Sequence, residues 1–225
     1  TSIAYGVRVS EEAPSTAGTV YNGTLTMSGG KITVNATSTT DAYGVYVGGS
    51  TLANTTKNAS NAKSFAGNYA SAGTANISGG EIDVTAKTTK AYDIFVDESK
   101  TESGASDYAS ATSTPKCNIT GGKYKLQSLT GATTDVATTN TAATTANYKI
   151  SAGYYDNSVN LENYAVSPMH AVALPETDAN YPEYTYKVAE SYNVTFKNGD
   201  EVLQSSYQEV GKTPVYNGDA PTKAS

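Results

Sequence analysis

One short word recurs along the chain, and its spacing constrains the fold more than any other feature. This ten-residue sequence motif, called the first word below, occurs as "LTMSGGKITV" at 25–34, "ANISGGEIDV" at 75–84, "CNITGGKYKL" at 117–126 and "YKISAGYYDN" at 148–157. A second word, "IAYGVRV" at 3–9, returns as "DAYGVYV" at 41–47 and "AYDIFV" at 91–96. Short strand-like words separated by loops of unequal length are typical of a repeat architecture that stacks one unit on the next.

The first word contains an odd spacing that a continuous strand does not allow. Met27 and Ile32 are five residues apart, and Ile77 and Ile82 repeat that spacing. In an unbroken strand such pairs lie on opposite faces. Because both members are apolar, we expect the alternation to break between them, where glycine is free to take a positive φ. The predicted corner glycines are Gly29, Gly30, Gly79, Gly80, Gly121, Gly122 and Gly153.

A phosphate-binding loop is the other interpretation of a glycine pair inside an apolar stretch. Such a loop needs a helix N-terminus after the glycines, where backbone N–H groups bind the anion. Here a strand pattern follows each pair, as in "KITV" after Gly30. We therefore favour the structural corner.

Alternation in the second word predicts which side chains face the core. It places Tyr5, Tyr43 and Tyr92 in one stacked column on the inner face. The opposite, outer face then carries the column Arg8, Tyr46 and Phe95. Aromatic side chains in a row on a rigid sheet are able to stack on sugar rings or on a protein partner, so this column is the candidate ligand-binding site. A long loop packed over it is the structural alternative.

Composition and charge exclude several classes of partner. The 225 residues carry 15 basic and 21 acidic side chains, a net charge of −6, which argues against nucleic acid and anionic membranes. No apolar run reaches the ~20 residues of a membrane-spanning helix, so membrane insertion is not expected. The single cysteine, Cys117, cannot form an internal disulfide and falls on a predicted inner column.

The histidine and the acidic side chains show no sequence pattern typical of a catalytic site. His170, the one histidine, has no nucleophile motif near it in sequence, so we expect a structural surface position. Asp93, Asp97 and Glu98 lie at one strand end and are able to hold a cation, with an ordinary solvated turn as the alternative. We expect no catalytic residues, no metal site and no cofactor.

The two words and their alternation resemble the right-handed parallel β-helix domains of bacterial surface proteins. The resemblance covers residues 1–157 and implies an all-β fold of about four irregular coils. The polar stretches 48–74, 97–115 and 130–147 are expected as loops, or as loops holding a short extra strand. The end of such a stack exposes strand edges, so residues 158–190 are the predicted C-terminal cap.

Residues 191–225 contain neither of the two repeated words and follow a different sequence pattern. "VTFKNGDEVLQ" predicts a β-hairpin with Asn198 and Gly199 in a type I′ turn. The segment resembles the first half of the Listeria–Bacteroides (internalin B-type) repeat, a β-grasp-like module. The matching positions are Tyr192, Val194, Thr195, Phe196, Asn198, Leu203, Gly211, Pro214, Tyr216, Gly218, Pro221, Thr222 and Lys223. Gly199 and Asp200 stand where that family has Asp-Gly.

Together these resemblances imply a non-enzymatic cell-surface stalk or adhesin-type protein. It would display a rigid β-helix for contact with a host protein or a glycan. The alternative is a carbohydrate-binding or polysaccharide-processing β-helix, which would need carboxylates converging on one outer face. The expected location is extracellular and wall-associated, with the targeting signals outside this piece of sequence; the oligomeric state is left open.

Overall fold

The computed structural model describes residues 3–10, 20–37, 41–52, 69–87, 90–102, 110–129, 136–139 and 146–220. Within these residues the chain is all-β, as predicted, with a single four-residue helix. The elements are β1 (Ile3–Val9), β2 (Thr24–Ala36), β3 (Asp41–Val47), β4 (Gly49–Leu52), β5 (Tyr69–Ala72), β6 (Thr74–Ala86), β7 (Lys90–Val96), β8 (Lys100–Glu102), β9 (Ala111–Ser113), β10 (Lys116–Ser128), β11 (Val136–Thr139), β12 (Tyr148–Tyr155), α1 (Leu161–Tyr164), β13 (Met169–Ala173), β14 (Tyr186–Asn198) and β15 (Glu201–Glu209).

The strands built from the second word, β1, β3 and β7, form a parallel sheet, and β11 adds a fourth parallel strand beside β7. Its register places the words on one another position by position. Tyr5 lies opposite Tyr43, and Tyr43 opposite Tyr92. Each side chain therefore contacts its counterpart from the neighbouring repeat, so the sequence repeat sets the register of the sheet.

The strands built from the first word form the parallel part of a second sheet, in the order β2-β6-β10-β12. Met27 pairs with Ile77, Ile77 with Ile119, and Ile119 with Ile150. Beyond β12 this sheet is mixed, because β14 runs antiparallel to β12, and β13 and β15 run antiparallel to β14. The described strands are thus not all parallel.

The glycine pairs interrupt the alternation of the first word. The second glycine of each pair has a positive φ, +82° at Gly30 and +89° at Gly80, and Gly122 and Gly153 share this conformation. The ladder register shifts at the same place, between Met27 and Lys31. Ile77 and Ile82, on either side of one pair, are both buried. The phase change lets two side chains at an odd spacing enter the same core.

The first sheet faces the second through small and branched side chains. A Cβ built on Gly44 would lie 2.4 Å from the Cγ2 atom of Ile82 in β6, so this position points at the facing sheet. The core residues of β3 are Ala42, Val45 and Val47. Ala42 and Val45 are three residues apart, so the alternation of this strand also changes phase, next to Gly44.

The predicted inner position of the tyrosine column is wrong. Tyr43 makes edge-to-face ring contacts with Tyr46 and Phe95, at centroid distances of 5.3 and 5.1 Å, so it lies on their side of the sheet. Tyr5 and Tyr92 stack on Tyr43 and share its face. The cause is the phase change beside the glycine, which turns outward a residue that unbroken alternation would turn inward.

The polar stretches between words hold short antiparallel ribbons. β4 pairs with β5 within residues 48–74, and β8 pairs with β9 within residues 97–115. The hydroxyl of Ser113 in β9 donates to the carbonyl of Ser71 in β5 at 2.5 Å. The ribbons of successive repeats therefore stack on one another. The predicted excursion at 130–147 lies mostly outside the described residues.

Residues 158–190 pack against the end of the second sheet. Tyr164 of α1 stacks on Tyr148 of β12 at 4.7 Å, and Leu161 is fully buried. β14 then pairs with the last residues of β12. The expected boundary between 190 and 191 lies inside β14, so one strand serves both the sheet and the hairpin.

The C-terminal hairpin forms, but its turn differs from the predicted one. Asn198 pairs with Glu201, so the two loop residues are Gly199 and Asp200. Only Gly199 has a positive φ, at +62°. A type I′ turn needs a positive φ at both central residues, so that prediction is wrong. The ladder shifts by one residue between Phe196 and Lys197, and this shift closes the hairpin on a two-residue loop.

Candidate functional site: the outer aromatic face

The predicted outer column is aligned by the first sheet. Arg8 lies opposite Tyr46, and Tyr46 opposite Phe95. The rings of Tyr46 and Phe95 stack at a centroid distance of 5.2 Å and an interplanar angle of 7°. The sheet therefore brings the three predicted binding residues into one column.

A second column that sequence reasoning placed inside stands beside the first. Tyr5 and Tyr43 stack at 5.4 Å, and Tyr43 and Tyr92 at 6.0 Å. Edge-to-face contacts join the two columns, for instance Tyr92 to Phe95 at 5.3 Å. We call the combined surface the aromatic face; its members are Tyr5, Arg8, Tyr43, Tyr46, Tyr92 and Phe95.

The rings of the aromatic face stack on one another through their flat faces. Tyr43 is sandwiched between two rings and is 7% exposed, and Tyr46 is also 7% exposed. Arg8, which is exposed, places its guanidinium carbon 5.6 Å from the Tyr5 ring centroid. A ligand would therefore meet ring edges, hydroxyls and the Arg8 cation rather than open ring faces.

The aromatic face is joined by hydrogen bonds to the end of β7. The Tyr46 hydroxyl donates to Asp97 Oδ2 at 3.1 Å, and Lys100 Nζ forms an ion pair with the same oxygen at 2.9 Å. Asp93 points into the core and is fully buried. The three acids Asp93, Asp97 and Glu98 therefore do not converge on one point. Across the described residues, no group of three potential metal ligands is found.

Burial in this face changes the acidity of Tyr43. Removal from water, aided by the negative charge of Asp41, raises the pKa of Tyr43 to about 12. An acid with a raised pKa in the folded state stabilises the fold fully below its ordinary pKa of about 10. That contribution is lost as pH rises from about 10 to 12.

We expect the Tyr43 phenol to ionise near pH 12 in the folded chain. Absorbance at 295 nm, compared between the wild type and Tyr43→Phe, isolates this one group among the 18 tyrosines. The wild type should also lose more stability than Tyr43→Phe between pH 10 and 12. A Tyr43 step at the ordinary pKa of about 10 would contradict the stacked, desolvated position.

Charged side chains form a separate ladder on the outer side of the second sheet. Lys31 lies opposite Glu81, and Glu81 opposite Lys123, so the sign of the charge alternates from strand to strand. Lys31 Nζ forms ion pairs with Glu81 at 2.8 Å and with Asp83 at 2.9 Å. Lys125 pairs instead with Glu183, at 2.9 Å. These pairs engage both acids of β6 with a cation.

The corner glycines line an open groove beside this ladder. Its volume is about 430 Å³. The lining residues are Gly30, Gly79, Gly80, Glu81, Gly122, Lys123 and Tyr154. No helix follows the glycines, so the geometry of a phosphate loop is missing here, while Tyr154 and Lys123 provide an aromatic ring and a cation at one end.

His170 and Cys117 occupy structural positions. The His170 ring stacks on Tyr207 at 3.7 Å, and its Nδ1 lies 3.0 Å from Glu162 Oε2. Cys117 is fully buried, in register with Ala75 and Tyr148. Burial raises the pKa of the Cys117 thiol, which opposes its ionisation.

Sequence reasoning treated Asp93 only as a candidate cation ligand at a strand end and missed its burial in the core. It stands in the column where the two preceding repeats have Gly6 and Gly44, so the departure from the repeat was the available signal.

The described residues include no helix long and apolar enough to cross a membrane. Comparison with protein-family models, with curated proteins and with solved structures finds no match to this chain.

Proposed function

We propose that this chain is a non-enzymatic, extracellular and wall-associated stalk or adhesin-type module. In this proposal residues 1–157 form a right-handed parallel β-helix of about four coils, and residues 158–190 cap it. Residues 191–225 are the first part of a B-type repeat. The observation that carries the proposal is the position-by-position register of both repeated words in two parallel sheets.

That register supports rigidity, which a stalk or display surface needs. Like side chains stack in columns, and core positions such as Ile77, Ile119 and Ile150 are buried. Right-handed crossovers between parallel strands are the general rule, which supports the proposed handedness. Contacts repeated in every unit give a solenoid its extended, stiff surface.

The charges of the outer faces also favour attachment over catalysis. Polysaccharide-cleaving enzymes place two acids about 5–10 Å apart around an open substrate site. Here Glu81 and Asp83 share the Lys31 cation, and Asp97 pairs with Lys100. Acids held in ion pairs are poorly placed to donate or accept a proton from a sugar.

An attachment assay tests the proposal. Beads coated with the chain should adhere to specific spots of a printed glycan array or to immobilised host matrix proteins. Arg8→Ala should reduce that capture several-fold, because Arg8 is the exposed cation of the aromatic face. Lys149→Ala, an exposed lysine of β12, is the matched control and should leave capture unchanged. Shortening of a polysaccharide by the chain would contradict a non-enzymatic role.

A carbohydrate-binding role located in the glycine-lined groove is the second candidate. It is favoured by Tyr154 and Lys123 at the end of that groove, since an aromatic ring and a cation together suit an acidic sugar. Tyr154→Ala separates the two candidates. Loss of glycan capture in Tyr154→Ala with retention in Arg8→Ala would assign binding to the groove.

A further inference from the structure

Asp93 is an acid held in the apolar core without a hydrogen-bond partner. Its side chain is fully buried, and neither carboxyl oxygen has a partner among the residues that the structure describes. Its neighbours in β7, Ala91 and Ile94, are also fully buried. Buried polar groups are almost always hydrogen-bonded, so an orphaned carboxyl in the core calls for a physical explanation.

The position of Asp93 is defined by the repeat. Its column in the first sheet contains Gly6, Gly44 and Asp93, because the neighbouring residues pair in register. A Cβ at Gly44 would collide with Ile82, which shows that the column faces the second sheet. The third repeat thus introduces a carboxyl where the first two have no side chain at all.

No cation within the described core offsets a charge on this carboxyl. The ionisable groups that act on it from the second sheet are acids, Asp83 of β6 and Asp156 after β12. The ionisable side chains of β10 and β12 that interact with it electrostatically are tyrosines, which are neutral when protonated. They are Tyr124, Tyr148 and Tyr155, all fully buried. The Tyr148 hydroxyl also has no partner in the described residues.

We propose that Asp93 acts as a pH-operated catch on the third repeat. With its carboxyl protonated, β7 stays packed against the second sheet. When the proton leaves, the buried charge is stable only if water reaches it, so this part of the core opens. Burying an unpaired carboxylate costs several kcal/mol, which is comparable with the cost of local opening in a folded domain.

The direction of the pH dependence follows from burial. Loss of hydration raises the pKa of Asp93 well above its ordinary value, and the negative charges of Asp156 and Asp83 act in the same direction. The folded state therefore binds this proton more tightly than the open state. The contribution is fully present below pH ~4, the ordinary pKa of Asp, and is lost as pH rises toward the raised value.

Cys117 reports the opening, because it is the only cysteine and is fully buried beside Tyr148. Its rate of modification by an aromatic disulfide reagent should be measured from pH 5.5 to 8.5 in the wild type and in Asp93→Asn. The wild-type rate divided by the Asp93→Asn rate cancels the pH dependence of the thiol chemistry. One linked proton predicts that this ratio rises by up to about tenfold per pH unit.

Two further variants keep the test decisive. Asp93→Gly restores the residue of the other two repeats and should remove the pH dependence as Asp93→Asn does. It serves as the reference variant if Asp93→Asn folds poorly. Asp200→Asn makes the same chemical change in the exposed hairpin turn and should follow the wild type. A rate ratio that stays constant with pH would overturn the catch, and so would an Asp200→Asn variant that loses the pH dependence.

Discussion

Replacing Gly44 with alanine is expected to lower the free energy of unfolding by at least about 3 kcal/mol, the upper part of the range for overpacked cores. The added Cβ would lie 2.4 Å from Ile82 Cγ2 and 2.5 Å from the backbone oxygen of Asp93. The side chain of Ile82 has little room to move in the closed core. The backbone of β7 cannot move without breaking its ladder to β3.

Gly29→Ala is the matched control, since it makes the same substitution in the first corner. No atom lies within 4 Å of a Cβ at Gly29, and its φ is not in the left-handed region. Its expected effect is neutral or slightly stabilising, by about 0.4–1 kcal/mol, because alanine restricts the unfolded chain. Urea titration of both variants measures the difference. Equal losses in Gly44→Ala and Gly29→Ala would refute the close approach of the two sheets.

The second large effect is expected at Tyr148. Tyr148→Ala should cost about 3–5 kcal/mol, the range found for truncated core aromatics. The ring is fully buried, stacks on Tyr164 at 4.7 Å and lies in register with Cys117. Its loss leaves a cavity where residues 158–190 meet the sheet, so that segment should become the first to be cut by protease.

Tyr148→Phe separates packing from hydrogen bonding at this site. The hydroxyl has no partner among the described residues, so its removal should leave the free energy of unfolding unchanged or raise it. Thermal unfolding and limited proteolysis of Tyr148→Phe and Tyr148→Ala provide the comparison. A large loss in the phenylalanine variant would mean that the hydroxyl contributes a stabilising contact.

Much of the strand register was predictable because the repeated words align by themselves. Ile77 and Ile119 occupy the same position of the same word and pair in the sheet. The odd spacing between Met27 and Ile32 also located the phase change at the glycines, where Gly30 has a positive φ. Both inferences use parity and repetition, which a sequence states directly.

Repetition and parity did not predict which side chains of the second word point into the core. Tyr43 and Val45 are both apolar in character, so hydrophobicity does not say which of them turns inward. The contacts show that Tyr43 lies with Tyr46, while Val45 joins the core. The spacing of three between Ala42 and Val45 is the signal that the continuous-alternation interpretation overlooked. A shift of one residue moves a side chain to the other face.

The environment of Asp93 and the end of the chain depended on tertiary contacts. The sequence shows an acid in a repeat word, but its lack of a partner follows only from which strands surround it. The hairpin turn differs from the predicted one because the strands pair in the register that sets Ser191 opposite Glu209, which no local turn rule anticipates.

The alternating charge ladder solves a problem that near-identical repeats create during folding. β2 could pair with β10 in place of β6, since the words of all three match in their apolar positions. The skipped pairing would set Lys31 against Lys123, two cations, whereas the observed order gives Lys31 its 2.8 Å contact with Glu81. Like charges directly opposite each other are destabilising. The outer charges thereby favour pairing of each strand with the next strand of the chain over pairing with the one after it.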